Sequence, residues 1–144
     1  MRLISTRRLP LDRALRSSGR RLGLAALMLA VPVLAQAQNA EDGKVVFNKC
    51  RACHQVGPGA KNLVGPELNG LMGRKAGSVA GFNYSEANKN SGLIWDQATF
   101  REYIKNPRAK IPNTKMVFPG LTDEKDINDL LAFLEQYSAD GKTK

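Results

Sequence analysis

The chain has 144 residues, 22 of them Lys or Arg and 13 Asp or Glu, for a formal net charge of +9. Seven arginines and one aspartate in residues 1–37 carry +6 of that charge, which leaves only +3 on the remainder. The total therefore does not imply a nucleic-acid surface; one domain fits and two do not, and two cysteines with one histidine make neither a disulfide framework nor a multi-His metal site.

Residues 1–21 are rich in arginine, Leu22–Leu34 is an apolar run of 13 residues, and Ala35-Gln36-Ala37 follows. A basic region, an apolar region and an A-x-A site describe a secretory signal peptide cut after Ala37, which exports the rest to the periplasm. The alternatives are an uncleaved anchor or a transit peptide. As a helix at about 1.5 Å per residue, 13 residues reach only about 20 Å, short of the ~30 Å hydrocarbon core. A transit peptide should be amphipathic, and this run is apolar all round. The paired arginines Arg7-Arg8 and Arg20-Arg21 are a weak twin-arginine signal.

The expected mature domain, 38–144, begins with a helix over Ala40–Ala52, its first turn carrying Glu41 and Asp42 to suit the dipole. Residues 55–83 hold seven glycines and two prolines, Pro58 and Pro66, and read as an extended loop system. A loop that long in a small domain needs something to wrap. Ser85 caps a short helix through Asn90, and Asp96 caps another running to Lys105 before Pro107, with Phe100, Tyr103 and Ile104 on one face. Thr122, followed by Asp123 and Glu124, starts the last helix, whose apolar stripe is Ile127, Leu130, Leu131 and Leu134. No segment alternates cleanly enough for a strand. The expectation is a small all-α, loop-rich fold with too little aliphatic core for its loops.

Cys50-Arg51-Ala52-Cys53-His54 accounts for that deficit. It is the attachment pattern of a c-type haem: thiols three residues apart can add to the two vinyl groups along one porphyrin edge, and the adjacent histidine falls beneath the iron. A thioredoxin-like dithiol would need a strand before the motif and a helix after it. A zinc site would need a fourth strong ligand, and the sequence has no further Cys or His. Export agrees with haem, because c-type attachment takes place outside the cytoplasm on an unfolded chain, which also argues against twin-arginine export.

The sixth iron ligand separates an open, gas-binding or catalytic haem from a closed electron-transfer haem. The candidates after the leader are Met72 and Met116. Met72 lies only 18 residues beyond His54 and reads as packing. Met116 sits in a loop stiffened by Pro112 and Pro119, and the intervening chain is long enough to reach the other haem face. Its thioether would favour ferrous iron, so His54 and Met116 are the expected metal ligands.

In order along the chain, Lys49 through His54, Gly65-Pro66, Gly73-Arg74-Lys75, Gly81 through Tyr84, Ala87 through Asn90, Trp95, Asn106-Pro107 and Pro112 through Gly120 resemble the class I c-type cytochromes. Within them the bacterial cytochrome c2 branch is the match, because of the export signal and a segment before Cys50 one residue shorter than in mitochondrial relatives. The resemblance implies the cytochrome c fold, with N- and C-terminal helices packed together around one covalent haem c: Gly43 and Phe47 against Leu130 and Phe133. It implies that the Pro66 carbonyl orients His54, that Tyr84, Trp95 and Arg74 hold a haem propionate, and that Asn88, Tyr103 and Thr114 form a polar network near Met116. A buried carboxylate needs such donors.

The resemblance further implies an electron carrier, not an enzyme, monomeric and touching membranes only peripherally. A quinol–cytochrome c oxidoreductase of the bc1 type would be the donor, and a terminal oxidase, photosynthetic reaction centre or denitrification enzyme the acceptor. Docking would use a basic rim including Lys49, Lys61, Arg108, Lys110 and Lys115. That rim is thinner than in mitochondrial relatives, because Leu63, Thr122 and Asp123 stand where those often carry lysine.

Overall fold

The first helix, α1, spans Ala40–Phe47, because the Asn39 side chain accepts hydrogen bonds from the backbone N–H groups of Glu41 and Asp42. This computed structural model describes residues 38–144, so the leader expected over residues 1–37 lies outside the described residues. α1 is shorter than the expected Ala40–Ala52. After Phe47 the chain changes to tight turns, with Cys50 N–H donating to Phe47 C=O at 2.8 Å and Cys53 N–H to Cys50 C=O at 3.0 Å. These turns continue the helical path loosely through the CxxCH segment.

Four more helices follow: α2 (Glu86–Lys89), α3 (Gln97–Lys105), α4 (Pro107–Lys110) and α5 (Glu124–Glu135). Ser85 and Asp96 cap α2 and α3 as expected, accepting from Asn88 N–H and Thr99 N–H. α4 was not expected. Asn106 caps it and Pro107 occupies its first turn, a placement that uses proline's missing N–H where no donor is needed; the residue read as ending α3 also begins the next helix. α5 starts two residues after Thr122, since the Asp123 carboxylate accepts from Asp126 N–H at 2.9 Å and makes the cap. Among the described residues the only β pairing is two isolated bridges, Lys75 with Ile94 and Tyr137 with Thr143. No described helix is long and apolar enough to cross a membrane.

α1 and α5 lie against each other at Gly43, where an added Cβ would run into the Asp129 carbonyl and lie 2.8 Å from Phe133 Cβ. Phe47 and Phe133 meet beside it, ring centroids 5.3 Å apart. Fully buried Ile127, Leu130, Leu131 and Leu134 form the inner stripe of α5. A polar clasp closes the same seam: Asn39 N–H donates to Asp129 Oδ1 at 2.8 Å, and Lys125 Nζ bridges Asp129 at 2.6 Å and Asp42 at 2.8 Å. Met72 packs against the core.

Candidate functional site

Between the turns after α1, the glycine-rich loop, α3 and the loop 111–123 lies a cavity of about 650 Å³. Cys50, Cys53 and His54 line it, as do Pro66, Arg74, Tyr84, Asn88, Trp95, Tyr103, Thr114 and Met116. Every residue expected at the site therefore faces one space. Cys50 and Cys53 are half-buried and not bonded to each other. Among the described residues no cluster of three or more His, Cys, Asp or Glu could hold a metal ion elsewhere.

His54 Nδ1 lies 2.7 Å from the Pro66 carbonyl oxygen. A carbonyl can only accept, so Nδ1 carries the proton and Nε2 keeps its lone pair. Burial holds the ring below the usual histidine pKa, more than the Pro66 bond raises it, and Arg74 adds to the depression. The imidazole is thus neutral, as a metal ligand must be. Gly65 makes room for it, since a Cβ there would collide with the ring. The backbone at Gly65 is fixed, its N–H donating to Cys53 C=O and its C=O accepting from Leu63 N–H, both at 2.8 Å.

The Met116 loop turns at Asn113, the one non-glycine described residue with a left-handed φ, 66°, a conformation asparagine tolerates better than most residues. Tyr103 Oη donates to Met116 Sδ at 3.1 Å. Burial raises the Tyr103 phenol's pKa, opposed by Thr114 and Asn88 beside it, so the three residues expected to form a polar network lie together on one wall of the cavity. Trp95 packs edge-on against Tyr103 at 4.9 Å. Trp95 and Arg74 are joined through the backbone: Trp95 N–H donates to Arg74 C=O at 2.9 Å and Gly73 N–H to Trp95 C=O at 2.7 Å.

The expected basic rim is only partly gathered. Lys49 and Lys115 line the cavity, and Lys61 lines an open basin next to it, whereas Arg108 and Lys110 sit on α4 and line neither. Lys49 is paired with Asp126 at 2.8 Å and Lys110 with Glu102; Lys115 donates to the Asn83 carbonyl at 3.3 Å. Leu63, Val64 and Val117 line the cavity and are nonetheless 44%, 79% and 84% exposed, so the mouth is edged by apolar side chains.

The cytochrome c family profile matches residues 40–138. The chain belongs to the cytochrome c family. A cytochrome c2 of Blastochloris viridis is 53% identical over 126 residues, covering 87% of this chain and 99% of the relative. Cytochrome c-550 of Bradyrhizobium diazoefficiens is 62% identical over 102 residues, 71% of this chain and 75% of that one. Among solved structures, cytochrome c2 of Rhodospirillum centenum matches with a TM-score of 0.66 at 41% identity, over 69% of this chain and 98% of its own. These relatives support a class I cytochrome of the bacterial c2 type, an electron-carrying protein whose cofactor is a covalently bound haem c.

This cytochrome's own residues fit that group. The cavity is lined mostly by apolar side chains with two thiols and a neutral imidazole at its wall. Two buried side-chain atoms facing this region, Arg74 Nε and Asn88 Oδ1, have no protein partner. Buried polar atoms are normally paired, and a haem's propionates and associated water would supply partners.

Reading the sequence alone passed over Glu67 and Asn69. Asn69 is buried, and its side chain bonds both the N–H and the C=O of Gly57, at 2.8 and 3.0 Å. Glu67 pairs with Arg74 at 3.0 Å. An acid seven positions before the arginine in a loop otherwise poor in charge was the available signal for Glu67; Asn69 offered none.

Proposed function

We propose that this cytochrome is a periplasmic single-electron carrier, exported by the leader over residues 1–37 and cut after Ala37. In this reading Cys50 and Cys53 would attach the haem and His54 and Met116 would hold its iron. The observation that carries it is the pair of anchored donors on one cavity, His54 held by Pro66 at 2.7 Å and Met116 held by Tyr103 at 3.1 Å. A phenol that donates to one sulfur lone pair leaves the other free, as the Pro66 carbonyl leaves Nε2 free.

When bound, a haem would supply the redox chemistry as a one-electron Fe(II)/Fe(III) couple. The chain's residues supply the rest. His54 and Met116 would each hold the iron, leaving no position for an exogenous ligand, which favours carriage over catalysis. Tyr84, Trp95 and Arg74 offer hydrogen-bond donors to a buried propionate, and Asn88, Tyr103 and Thr114 fix the polar side of the methionine. Burial of the aromatic wall excludes water, so little needs to reorganise as the charge changes.

Lys49, Lys61 and Lys115 give the mouth of the cavity a positive bias, with Arg108 and Lys110 farther along, suited to acidic patches on membrane redox complexes. A quinol–cytochrome c oxidoreductase is the donor in this reading and a terminal oxidase, reaction centre or denitrification enzyme the acceptor. Visible spectra of the mature protein, oxidised and reduced, test the ligand set. A methionine–iron charge-transfer band present in the wild type and lost in Met116→Ala is the expected result. Rapid carbon monoxide binding by the unmutated ferrous protein would overturn the closed six-coordinate site.

A further inference from the structure

Among the described residues Arg74 is the one cation that lines both the haem cavity and the open basin beside it. Its guanidinium is largely committed. Nη1 donates to Glu67 Oε1 at 3.0 Å and to the Asn69 carbonyl at 2.8 Å, and Nη2 donates to the Glu67 carbonyl at 3.0 Å. Only Nε, screened from solvent, has no partner among the protein atoms. Glu67 is fixed in turn, because its second carboxylate oxygen accepts from Asn69 N–H at 2.6 Å. The backbone at Arg74 is locked to Trp95 and to Leu71. Both partners of the ion pair are mostly shielded, with side-chain exposures of 17% and 21%, so their charges are screened less than those of surface pairs.

We infer that Glu67 is a positioning residue that sets the oxidation–reduction balance of the haem site through Arg74. It does so in two ways. Its side-chain and backbone oxygens, with the Asn69 carbonyl, hold three of the five N–H donors of the guanidinium fork, leaving Nε and one Nη2 N–H as the donors left over. Its negative charge stands on the basin side and offsets the arginine charge that the cavity feels. A positive charge near the iron favours Fe(II) over Fe(III); a carboxylate behind that charge takes part of the preference away. The field reaches across the wall: the Tyr84 phenol, raised chiefly by burial, feels Arg74 and Glu67 with opposite sign. The inference rests on the haem occupying this cavity and not on which residues are its axial ligands.

The test is a spectroelectrochemical titration of the purified holoprotein and two variants. Glu67→Gln keeps an acceptor oxygen for Arg74 and removes the charge; Glu67→Asp keeps the charge and shortens the reach. Glu67→Gln should raise the Fe(II)-to-Fe(III) ratio at a fixed applied potential by roughly three- to tenfold, with Glu67→Asp staying within about twofold of the wild type. A Glu67→Gln ratio equal to or below the wild-type value overturns the inference, as does a Glu67→Asp shift as large as that of Glu67→Gln. Failure of Glu67→Gln to mature while Glu67→Asp matures would also overturn it, because the charge would then serve the fold. Loss of the methionine–iron band in the wild type would refute the ligand set and leave this comparison intact.

Discussion

Replacing Gly65 with alanine puts one methyl group into the space of the His54 ring. An alanine Cβ would collide with the ring edge and lie 2.7 Å from both Nδ1 and Nε2. Neither side can yield freely. The backbone is pinned by bonds to Cys53 and Leu63, both 2.8 Å, and the ring by the 2.7 Å bond to Pro66. Overpacking of this kind costs about 1–3 kcal/mol, and losing the ring's bond to Pro66 adds about 1 kcal/mol. The expected total is about 2–4 kcal/mol, which for a domain of this size lowers Tm by roughly 8–20 °C. Thermal melts of the ferric holoprotein followed by circular dichroism measure the loss, and the visible spectrum reports the displaced ring. Gly59 has open space around a left-handed φ of 75°, so Gly59→Asn should lower Tm by no more than about 5 °C. A Gly65→Ala protein with wild-type Tm and spectrum would show that the ring is not wedged against this backbone.

Tyr103→Phe removes the donor to Met116 Sδ and returns electron density to the sulfur, so the Fe(II)-to-Fe(III) ratio at fixed potential should fall about fivefold, the equivalent of about 1 kcal/mol. An unchanged or increased ratio in the same titration would contradict the hydrogen bond's direction of effect. Burial alone would raise the Asp129 carboxyl, but hydrogen bonds from Lys125 and the Asn39 N–H hold it below the usual 3.8. A depressed carboxylate contributes stability that is present above its unfolded pKa and is lost as pH falls through the folded value. Urea unfolding should therefore give Asp129→Asn a lower midpoint than the wild type at pH 7, with the gap narrowing as the pH falls below the usual carboxyl value of 3.8. A constant gap across that range would mean the charge is not what the clasp uses.

Much of the site was legible because its chemistry is written locally. CxxCH places two thiols and an imidazole on consecutive turns, and the proline-flanked Met116 was the one spare thioether far enough along the chain. Helix caps at Ser85 and Asp96 were readable for the same reason, since one side chain satisfies a backbone donor two or three residues away. Besides the early end of α1, the start of α5 and the unexpected α4 were missed where one stretch carries two local signals. Thr122 and Asp123 can both cap, and the stronger acceptor won; Pro107 ends one helix and opens another. Glu67 and Asn69 stayed hidden because their partners, Arg74 and Gly57, are met only when the glycine-rich loop doubles back. The thin rim was read by resemblance, position by position, which places lysines along the chain but does not show that Lys49 and Lys110 are already paired with Asp126 and Glu102.

The clasp between the first and last helices bears on how quickly such a chain can fold. Its bonds join residues 90, 83 and 77 positions apart, Asn39 to Asp129, Asp42 to Lys125 and Lys49 to Asp126. Helical proteins usually fold fast because their contacts are local. Here the seam joins the two ends of the described segment, so forming it carries the entropy of closing a loop of about 90 residues. Among the described residues the secondary structure is helix and turn with two isolated bridges, yet this seam joins positions as far apart in sequence as those paired in many β-sheet proteins.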